Sequence, residues 1–524
     1  MKMSHLRFAA AFVASALLLS GCGGTADPAP TETAAGETPV AGGDLSILVA
    51  SGMTNWDPGA STGSFPGVVW DRLYAVYGAL ITVDVDGRVQ PGLAESLTTD
   101  DGGTTWTLTL RDGLAFTDGT TLDSGAVKAN WDRFAEPANA LGAARIASTF
   151  TSKVVDATTL AITPSTKNPI LDKQIADAIP FVASPATFPA GPGPYTTPVG
   201  AGPYVLEKWD PAVGETLVKN ADYYDDGLPY LDSLTFTLVA DPAQRVSTVV
   251  QGGAQSMNGY PFQFISDKDN PAVSTFAVAS GGVRHLVFNT QSDLFGELRA
   301  RQAVQLAIDP AELVQTLTQD PSALGGTSLF PEDSQYYDAS AVLPKRNLEK
   351  AQALVDELKA EGADLQVDIL VAAVPELVRA GELLQLTLQQ LDGLTVTVNQ
   401  IPIPEWRAEA FDKDNFDITF YPGVFDLNSP EVGMANLFGK GGLDNVANFG
   451  NDDMNAAIDK AQKATSDEAR VDAIRAVQEV YVREIPIVAF GIDHRTFLHG
   501  ADVTGFASMG RGALYTDRLG YVAE

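Results

Sequence analysis

Apolar and polar residues alternate along several short segments of the chain, and between these segments apolar residues recur at helical spacing. Residues 44–51 and 106–111 alternate with a period of two, which is typical of strands with one buried face. Residues 68–80 carry apolar side chains three and four positions apart, which predicts a helix. Asp123 or Ser124 can cap a further helix by accepting hydrogen bonds from backbone N–H groups. The first half of the chain is therefore predicted to mix strands and helices.

The second half shows the same mixture in a defined order. Asn347 can cap a helix that ends near Gly362, and residues 365–371 follow as a strand. Pro375 begins the next helix, and residues 394–401 form another strand. A strand, a helix and a strand in this order form a βαβ unit, which requires a parallel or mixed sheet covered by helices. The pattern predicts the α/β fold class.

Residues 280–290 stand out because two glycines precede a short apolar strand. Gly281 and Gly282 allow another chain or a ligand to approach the backbone closely. We interpret this segment as a crossing between two lobes, and residues 485–490 as its return path. A cleft between two such lobes would hold a small ligand. An ordinary buried strand explains the same residues equally well.

The size and charge of the chain narrow the class of function. Its 524 residues suffice for roughly two to four domains. The 66 Asp and Glu residues outnumber the 34 Lys and Arg residues, which gives a net charge of −32. No basic stripe offsets this charge, so we expect no nucleic-acid partner. An acidic surface of this kind keeps an exported protein soluble.

The N-terminus has the pattern of an export signal. Lys2 and Arg7 precede an apolar run over residues 8–19, which is too short to span a bilayer comfortably. The run ends in Leu-Ser-Gly-Cys at residues 19–22, which resembles a bacterial lipobox. The resemblance implies cleavage after residue 21 and attachment of a diacylglyceryl group to Cys22, the one cysteine of the chain.

The segments that follow indicate a tethered but otherwise soluble protein. Residues 22–43 are rich in Ala, Thr, Pro, Gly and Glu and cannot bury a core, so we expect a flexible linker. No later segment holds about eighteen consecutive apolar residues. We therefore expect residues 1–21 to be a signal peptide and the lipid to be the only membrane attachment. The protein would then lie on the outer face of the cytoplasmic membrane.

A series of short motifs occurs in a fixed order from about residue 44 to the C-terminus. They are residues 91–96 (PGLAES), 103–113 (GTTWTLTLRDG), 116–120 (FTDGT), 200–204 (GAGPY), 219–224 (KNADYY), 229–232 (PYLD), 241–245 (DPAQR), 288–290 (FNT), 298–303 (LRARQA) and 307–309 (AID). This ordered series resembles the family 5 extracytoplasmic solute-binding proteins of ABC importers. That family contains dipeptide, oligopeptide and nickel binders.

The resemblance implies a two-lobed fold of the periplasmic-binding-protein type, with an extra subdomain in the first lobe. Lobe I would comprise residues 44–284, with the inserted subdomain at about 82–190. Lobe II would comprise residues 285–488, and residues 489–524 would return to lobe I. The lobes would close over a solute and deliver it to an ABC permease whose partner subunits hydrolyse ATP. The chain itself would be a monomer without catalytic residues, cofactor or metal.

The resemblance also implies a ligand contact at Asp426. In peptide-binding members, an Asp at the matching position pairs with the α-amino group of the peptide, and an ammonium group taken out of water needs such a partner. Asp426 can instead cap the turn or helix that follows it. Peptide binders commonly have Gly-Trp where this chain has Pro422 and Gly423, so an aromatic wall is missing.

Other positions of the predicted cleft also follow from the family pattern. Each of them has an alternative interpretation as an ordinary loop or core residue. His285 and His494, beside the predicted crossings, are interpreted as structural groups. The predicted ligand contacts are Ser61, Ser64 and Phe65 in a loop of the first lobe, the backbone of Gly281 and Gly282, Asn445 on the rim of the second lobe, and Phe490 on the return strand.

Enzymatic alternatives find little support. Residues 59–63 fit the G-x-S-x-G pattern, but Pro58 precedes them and Pro66 follows shortly after, whereas a nucleophile elbow needs a strand before it and a helix directly after it. The sequence contains no HExxH, Walker A or Ser-x-x-Lys motif. The open question is the solute. A short peptide is our first prediction, with a metal chelate, an oligosaccharide or an opine-like compound as alternatives. A surface-tethered sensor with the same fold is a further alternative for the function.

Overall fold

The computed structural model describes most of the chain beyond the N-terminal leader. The described residues are 38–60, 66–84, 87–139, 141–189, 191, 194–259, 270–318, 326–332, 334–411, 413–421, 430–442 and 444–523. The strands are β1 Asp44–Val49, β2 Ile81–Val83, β3 Val89–Pro91, β4 Ala94–Thr98, β5 Trp106–Leu110, β6 Phe150–Val154, β7 Thr159–Pro164, β8 Tyr204–Asp210, β9 Gly214–Lys219, β10 Ser233–Leu238, β11 Ser256–Gly259, β12 Val273–Phe288, β13 Gln366–Ala372, β14 Thr395–Ile401, β15 Ile418–Tyr421, β16 Ile487–Gly500, β17 Val503–Thr504 and β18 Gly520–Tyr521.

The helices alternate with these strands along the chain. They are α1 Pro66–Tyr77, α2 Ser124–Ala135, α3 Ala144–Ala147, α4 Leu171–Ala178, α5 Pro242–Val250, α6 Leu298–Ala307, α7 Pro310–Thr318, α8 Leu348–Ala360, α9 Pro375–Leu388, α10 Ile403–Phe411, α11 Pro430–Phe438, α12 Asp452–Gln462 and α13 Asp467–Glu484. Among the helices in the described ranges, none combines the length and apolar character needed to cross a bilayer.

One ten-stranded mixed sheet runs through the molecule in the order β14-β13-β15-β12-β16-β11-β1-β10-β9-β8. Strand β1 is parallel to β10 and β11, and β13 is parallel to β14 and β15. Between these two groups lie β12 and β16, two long strands of 16 and 14 residues that pair antiparallel along most of their length. We call this pair the crossing ribbon. The predicted α/β fold class is confirmed.

The apolar core is divided on the two sides of the crossing ribbon. One cluster of buried side chains contains only residues between Val283 and Ile492 and forms the core of lobe II. Two further clusters, one within residues 80–201 and one built around β1, α1 and β10, form the cores of lobe I. The ribbon contributes to both sides, because Phe497 of β16 lies in a lobe I core and Phe288 of β12 lies in the lobe II core. The predicted boundaries 284/285 and 488/489 fall within this ribbon and remain a proposal.

The first lobe carries a second sheet of four strands in the order β4-β5-β7-β6. Helix α2 packs on this sheet, with Trp131 edge-on to Phe150 at a ring distance of 5.3 Å. Asp123 caps the helix, since its carboxylate accepts a hydrogen bond from the backbone N–H of Ala126 at 2.8 Å. Of the two predicted caps, Asp123 is therefore the one used.

The βαβ unit predicted in lobe II is present. Asn347 caps α8 by accepting from the backbone N–H of Lys350 at 3.0 Å. Strands β13 and β14 are parallel neighbours, and α9 connects them. The prediction for residues 68–80 was less accurate, because α1 begins at Pro66 and ends at Tyr77. Gly78, with φ of +63°, ends the helix in a conformation that few other residues adopt.

The GAGPY motif at residues 200–204 has a structural explanation. Its glycines pass so close to the end of α1 that an added Cβ on Gly200 would lie 2.2 Å from the carbonyl oxygen of Val76. A Cβ on Gly202 would lie 2.6 Å from the carbonyl oxygen of Ala75. The backbone N–H of Gly202 donates to the Val76 oxygen at 3.0 Å, so this close approach is part of the fold.

We therefore expect Gly200→Ala to lower the free energy of unfolding by about 2 kcal/mol, because the methyl group would overlap backbone atoms that cannot turn away. Urea unfolding followed by circular dichroism would measure the loss. Gly191→Ala is the matched control, since a Cβ at exposed Gly191 would meet no atom within 4 Å. Equal stability of the two variants would contradict the packing argument.

Candidate functional site

The crossing ribbon is irregular where the two cores meet. Its pairing runs regularly to Ala279 opposite His494 and resumes at Val283 opposite Ile492. Strand β12 thus advances by four residues while β16 advances by two. Gly281 and Gly282 lie in this bulge of β12. A bulge bends a strand and locally disrupts its ladder. The predicted ligand contact at the backbone of Gly281 and Gly282 stays a prediction.

A second irregularity follows on the other strand. Arg284 pairs with Gly491, and His285 then pairs with Ala489, so Phe490 is the extra residue of β16. The side chain of Phe490 is only 1% exposed and packs edge-on against Phe420 at a ring distance of 6.3 Å. Phe490 therefore belongs to the lobe II core in this structure. The predicted ligand contact at Phe490 stays a prediction.

Asn445 lies in the loop after α11 and holds that loop together. Its side-chain NH₂ donates to the carbonyl oxygen of Gly439 at 3.0 Å and to that of Phe449, while its side-chain oxygen accepts from the Phe449 N–H at 3.1 Å. These bonds occupy both donors of the amide and its oxygen, which accounts for the choice of Asn at this position. The predicted rim contact of Asn445 with ligand stays a prediction.

Five of the predicted positions lie outside the described residues: Ser61, Ser64, Phe65, Asp426 and Cys22. The segment directly before Ser61 is described, and it is firmly held. Buried Asp57 accepts from both terminal nitrogens of Arg133 and from the Gly59 N–H at 2.9 Å.

The end of strand β15, directly before residues 422–429, is also described. The ring of Tyr421 stacks on Trp406 at 6.2 Å, and its hydroxyl donates to the Asp444 carboxylate at 3.2 Å. These contacts fix the end of β15 against α10 and against the loop that contains Asn445. Tyr421, the residue directly before residues 422–429, is therefore held by an aromatic stack and a hydrogen bond.

His285 faces Tyr421 across the β12–β15 pair, with the two rings 5.9 Å apart. Its Nδ1 donates to the carbonyl oxygen of Val283 at 2.8 Å, which defines the neutral tautomer with a lone pair on Nε2. That Nε2 atom is buried and has no hydrogen-bond partner among the described residues. Burial lowers the pKa of His285 to about 4, so the imidazole is neutral at pH 7.

The two lobes also meet at a second place, away from the crossing ribbon. Glu431, in the first turn of α11, has a side chain with 0% exposure. Its Oε1 lies 3.2 Å from Nε of Arg470, a residue of α13 in the same lobe. It also lies 3.6 Å from Nζ of Lys173, a residue of α4 in the first lobe. Sequence reasoning missed this cluster, because single charges on amphipathic helices carry no signal of their partners.

Within the described ranges, no group of three or more His, Cys, Asp or Glu side chains is placed to hold a metal ion. The described residues thus form separate apolar cores on the two sides of the crossing ribbon that joins them.

Comparison with known proteins identifies the family of this chain. A family model described as bacterial extracellular solute-binding proteins, family 5, middle part, matches residues 88–445. The chain belongs to this family. The glutathione-binding protein GsiB of Escherichia coli (strain K12) is 27% identical over 482 residues, which cover 88% of this chain and 91% of GsiB.

Solved structures share the fold at low sequence identity. The oligopeptide-binding protein AppA from Bacillus subtilis, in complex with a nonapeptide, superposes with a TM-score of 0.79 at 15% identity, covering 93% of this chain and 100% of AppA. NikA from Brucella suis, in complex with Fe(III)-EDTA, has a TM-score of 0.79 at 19% identity, covering 91% of this chain and 100% of NikA. AgaA from A. tumefaciens R10, in complex with agropinic acid, has a TM-score of 0.77 at 22% identity, covering 92% of this chain and 99% of AgaA. The predicted two-lobed fold of the periplasmic-binding-protein type is confirmed, and these relatives are binding proteins rather than enzymes.

Proposed function

We propose that this chain is the solute-binding lipoprotein of an ABC importer, and that it captures a short peptide between its lobes. The observation that carries the proposal is the division of the core on the two sides of the crossing ribbon. Each lobe can keep its own packing while the ribbon bends at its irregular segment, so a ligand that touches both lobes stabilises the closed arrangement. The permease recognises that arrangement, and its ATPase subunits supply the energy.

The choice of a peptide rests on the proposed amine site. Asp426 follows Tyr421 by five positions in the sequence and precedes helix α11, and a carboxylate in the cleft would balance the charge of a peptide α-amino group taken out of water. Glutathione is the ligand in the name of GsiB, and a nonapeptide occupies AppA. A free amino group is common to both of these ligand types.

The proposal includes a location for the protein. Cys22 would carry the lipid, and residues 22–43 would be the leash between the membrane surface and the folded lobes. We propose that the protein works as a monomer on the outer face of the cytoplasmic membrane, where it meets both the solute and the permease.

A non-peptide solute is the second candidate function. The bound agropinic acid of AgaA favours it, as does the presence of Pro422 and Gly423 where peptide-binding members commonly have Gly-Trp. Native mass spectrometry of the freshly purified full chain separates the two candidates. A co-purified peptide mass supports the first, and an opine, chelate or oligosaccharide mass supports the second. Turnover of any co-purified compound by the isolated protein would contradict both.

The amine site has a direct test in Asp426→Asn. We expect the variant to bind a co-purified peptide about thirtyfold more weakly by calorimetry, because the ammonium group loses its charge partner. Acetylation of the amino terminus of the peptide should cost the wild type a similar factor and the variant little. Asp356→Asn, on the exposed face of α8, is the control. Equal affinity of wild type and Asp426→Asn for the free-amine peptide would remove the assignment.

A further inference from the structure

The contact between Lys173 and Glu431 joins the two lobes at a place away from the crossing ribbon. Lys173 lies on α4, which packs in the core of residues 80–201, and Glu431 lies on α11 in lobe II. The Lys173 side chain is 14% exposed and the Glu431 side chain is 0% exposed. Both charges are thus largely withdrawn from water at the place where the lobes meet.

The buried negative charge of Glu431 is stabilised by one cation from each lobe. Arg470 belongs to the same lobe and stays beside Glu431 whatever the lobes do. The Arg470 guanidinium is shared between two carboxylates, since Nε faces Glu431 while one terminal nitrogen donates to exposed Asp467 at 2.7 Å. Lys173 supplies the remaining positive charge from the other lobe. A buried carboxylate that loses one of its cations is costly, so opening at this place must bring water to Glu431.

Asp172 is a further carboxyl group at this boundary, and it accepts a hydrogen bond from the backbone N–H of Lys173 at 2.8 Å. Burial raises the pKa of the Asp172 carboxyl, while that hydrogen bond and the positive charges of Lys173 and of Arg470, across the lobe boundary, oppose the rise. The group at the boundary thus comprises two cations, Lys173 and Arg470, and two withdrawn carboxyl groups, Asp172 and Glu431.

We propose that the Lys173–Glu431 ion pair is a latch that holds lobe I and lobe II together and so determines how much of the ligand-free protein is closed. The inference rests on the proposed function, in which closure of the lobes captures the solute. Opening breaks the Lys173–Glu431 contact but not the Arg470–Glu431 contact, so Lys173 sets the closed population and Arg470 supports the fold of lobe II. A smaller closed population lowers apparent ligand affinity in proportion.

The latch is tested in the ligand-free full chain by the distance between two spin labels, one on each lobe. Cys22→Ser removes the native thiol, and cysteines introduced at Val155 and Leu386 carry the labels, since those side chains are 60% and 63% exposed. Because Lys173→Met removes the cation, we expect it to reduce the ratio of short to long distances about tenfold. Lys173→Arg, which keeps the charge, should restore most of the short-distance population.

Matched variants decide whether the effect belongs to the pair. Lys167→Met, at an exposed lysine of the same subdomain, should leave the distances unchanged. Glu431→Gln should open the protein as Lys173→Met does, and the double variant should open it no further than either single one. Distances unchanged in Lys173→Met, or changed equally by Lys167→Met, would overturn the latch. Because no ligand is present, these results are independent of whether the solute is a peptide.

Discussion

Arg495→Met is expected to lower the free energy of unfolding by about 3–5 kcal/mol, because the substitution leaves the buried Asp71 carboxylate without its cation. Arg495 lies on β16, within the lobe I half of the crossing ribbon. Its two terminal nitrogens donate to the two carboxylate oxygens of Asp71, and one of them also donates to the carbonyl oxygen of Gly512 at 3.0 Å. The Asp71 carboxylate further accepts from the Leu514 N–H at 2.8 Å. Urea unfolding at pH 7 measures the effect.

Two further variants make this prediction specific. Arg475→Met removes a half-exposed cation that pairs with exposed Asp472 on α13 and with Asp338, and it should cost no more than about 1 kcal/mol. Asp71→Leu combined with Arg495→Met removes both charges, so the double variant should be more stable than Arg495→Met alone. If Arg495→Met were as mild as Arg475→Met, the buried pair would not be holding the ribbon to α1.

The same pair indicates where the crossing ribbon can bend. Asp71 on α1 holds β16 at Arg495, and the regular pairing between β12 and β16 extends to the neighbouring residues Ala279 and His494. The next regular pair, Val283 with Ile492, already belongs to the lobe II side. We therefore propose that bending is confined to the short bulge between these pairs. In the proposed function, a short bend between two firmly held ends would give lobe closure a defined direction, which a long flexible linker would not give.

Much of the local structure was predictable from the sequence because it depends on residues close together in the chain. The caps at Asp123 and Asn347 require a side chain and an N–H three residues apart; Asn347 was predicted, and Asp123 was one of two predicted candidates. The βαβ unit of lobe II follows from apolar residues that are spaced as in a strand, then as in a helix, then again as in a strand. This unit is present. The full length of β12 was not predicted, because Gly281 and Gly282 interrupt the alternation that would identify one long strand.

The ion pairs could not be predicted, because they depend on the three-dimensional fold. Asp71 and Arg495 are 424 positions apart, and nothing in either local sequence indicates the other. Lys173 and Glu431 meet only because the subdomain reaches across to lobe II. The family resemblance indicated where the rim loops lie, but not that Asn445 already uses its amide within its own loop. Nor did it indicate that Phe490 packs into a core.

A second large effect is expected on the stability of the folded protein when the pH falls, because His285 is buried. In the unfolded chain this imidazole has an ordinary pKa of about 6.5. In the folded protein, burial lowers the pKa of His285 to about 4. Between these values the unfolded chain binds a proton that the folded protein does not, so stability falls as pH falls from 6.5 to 4. We expect this one group to remove about 2–3 kcal/mol of stability between pH 7 and pH 4.5.

The contribution of His285 is measured from the pH dependence of the free energy of unfolding, because a value at a single pH also contains the other effects of the substitution. His285→Phe loses the hydrogen bond to the Val283 oxygen, but its stability should fall about 2–3 kcal/mol less than that of the wild type between pH 7 and pH 4.5. Asp517→Asn is the control of opposite sign. Burial raises the pKa of Asp517, so this group favours the folded state as pH falls, and its removal should make the fall in stability steeper. An identical pH dependence in wild type and His285→Phe would show that His285 is not held neutral beside Tyr421, and that the end of β15 is open to water.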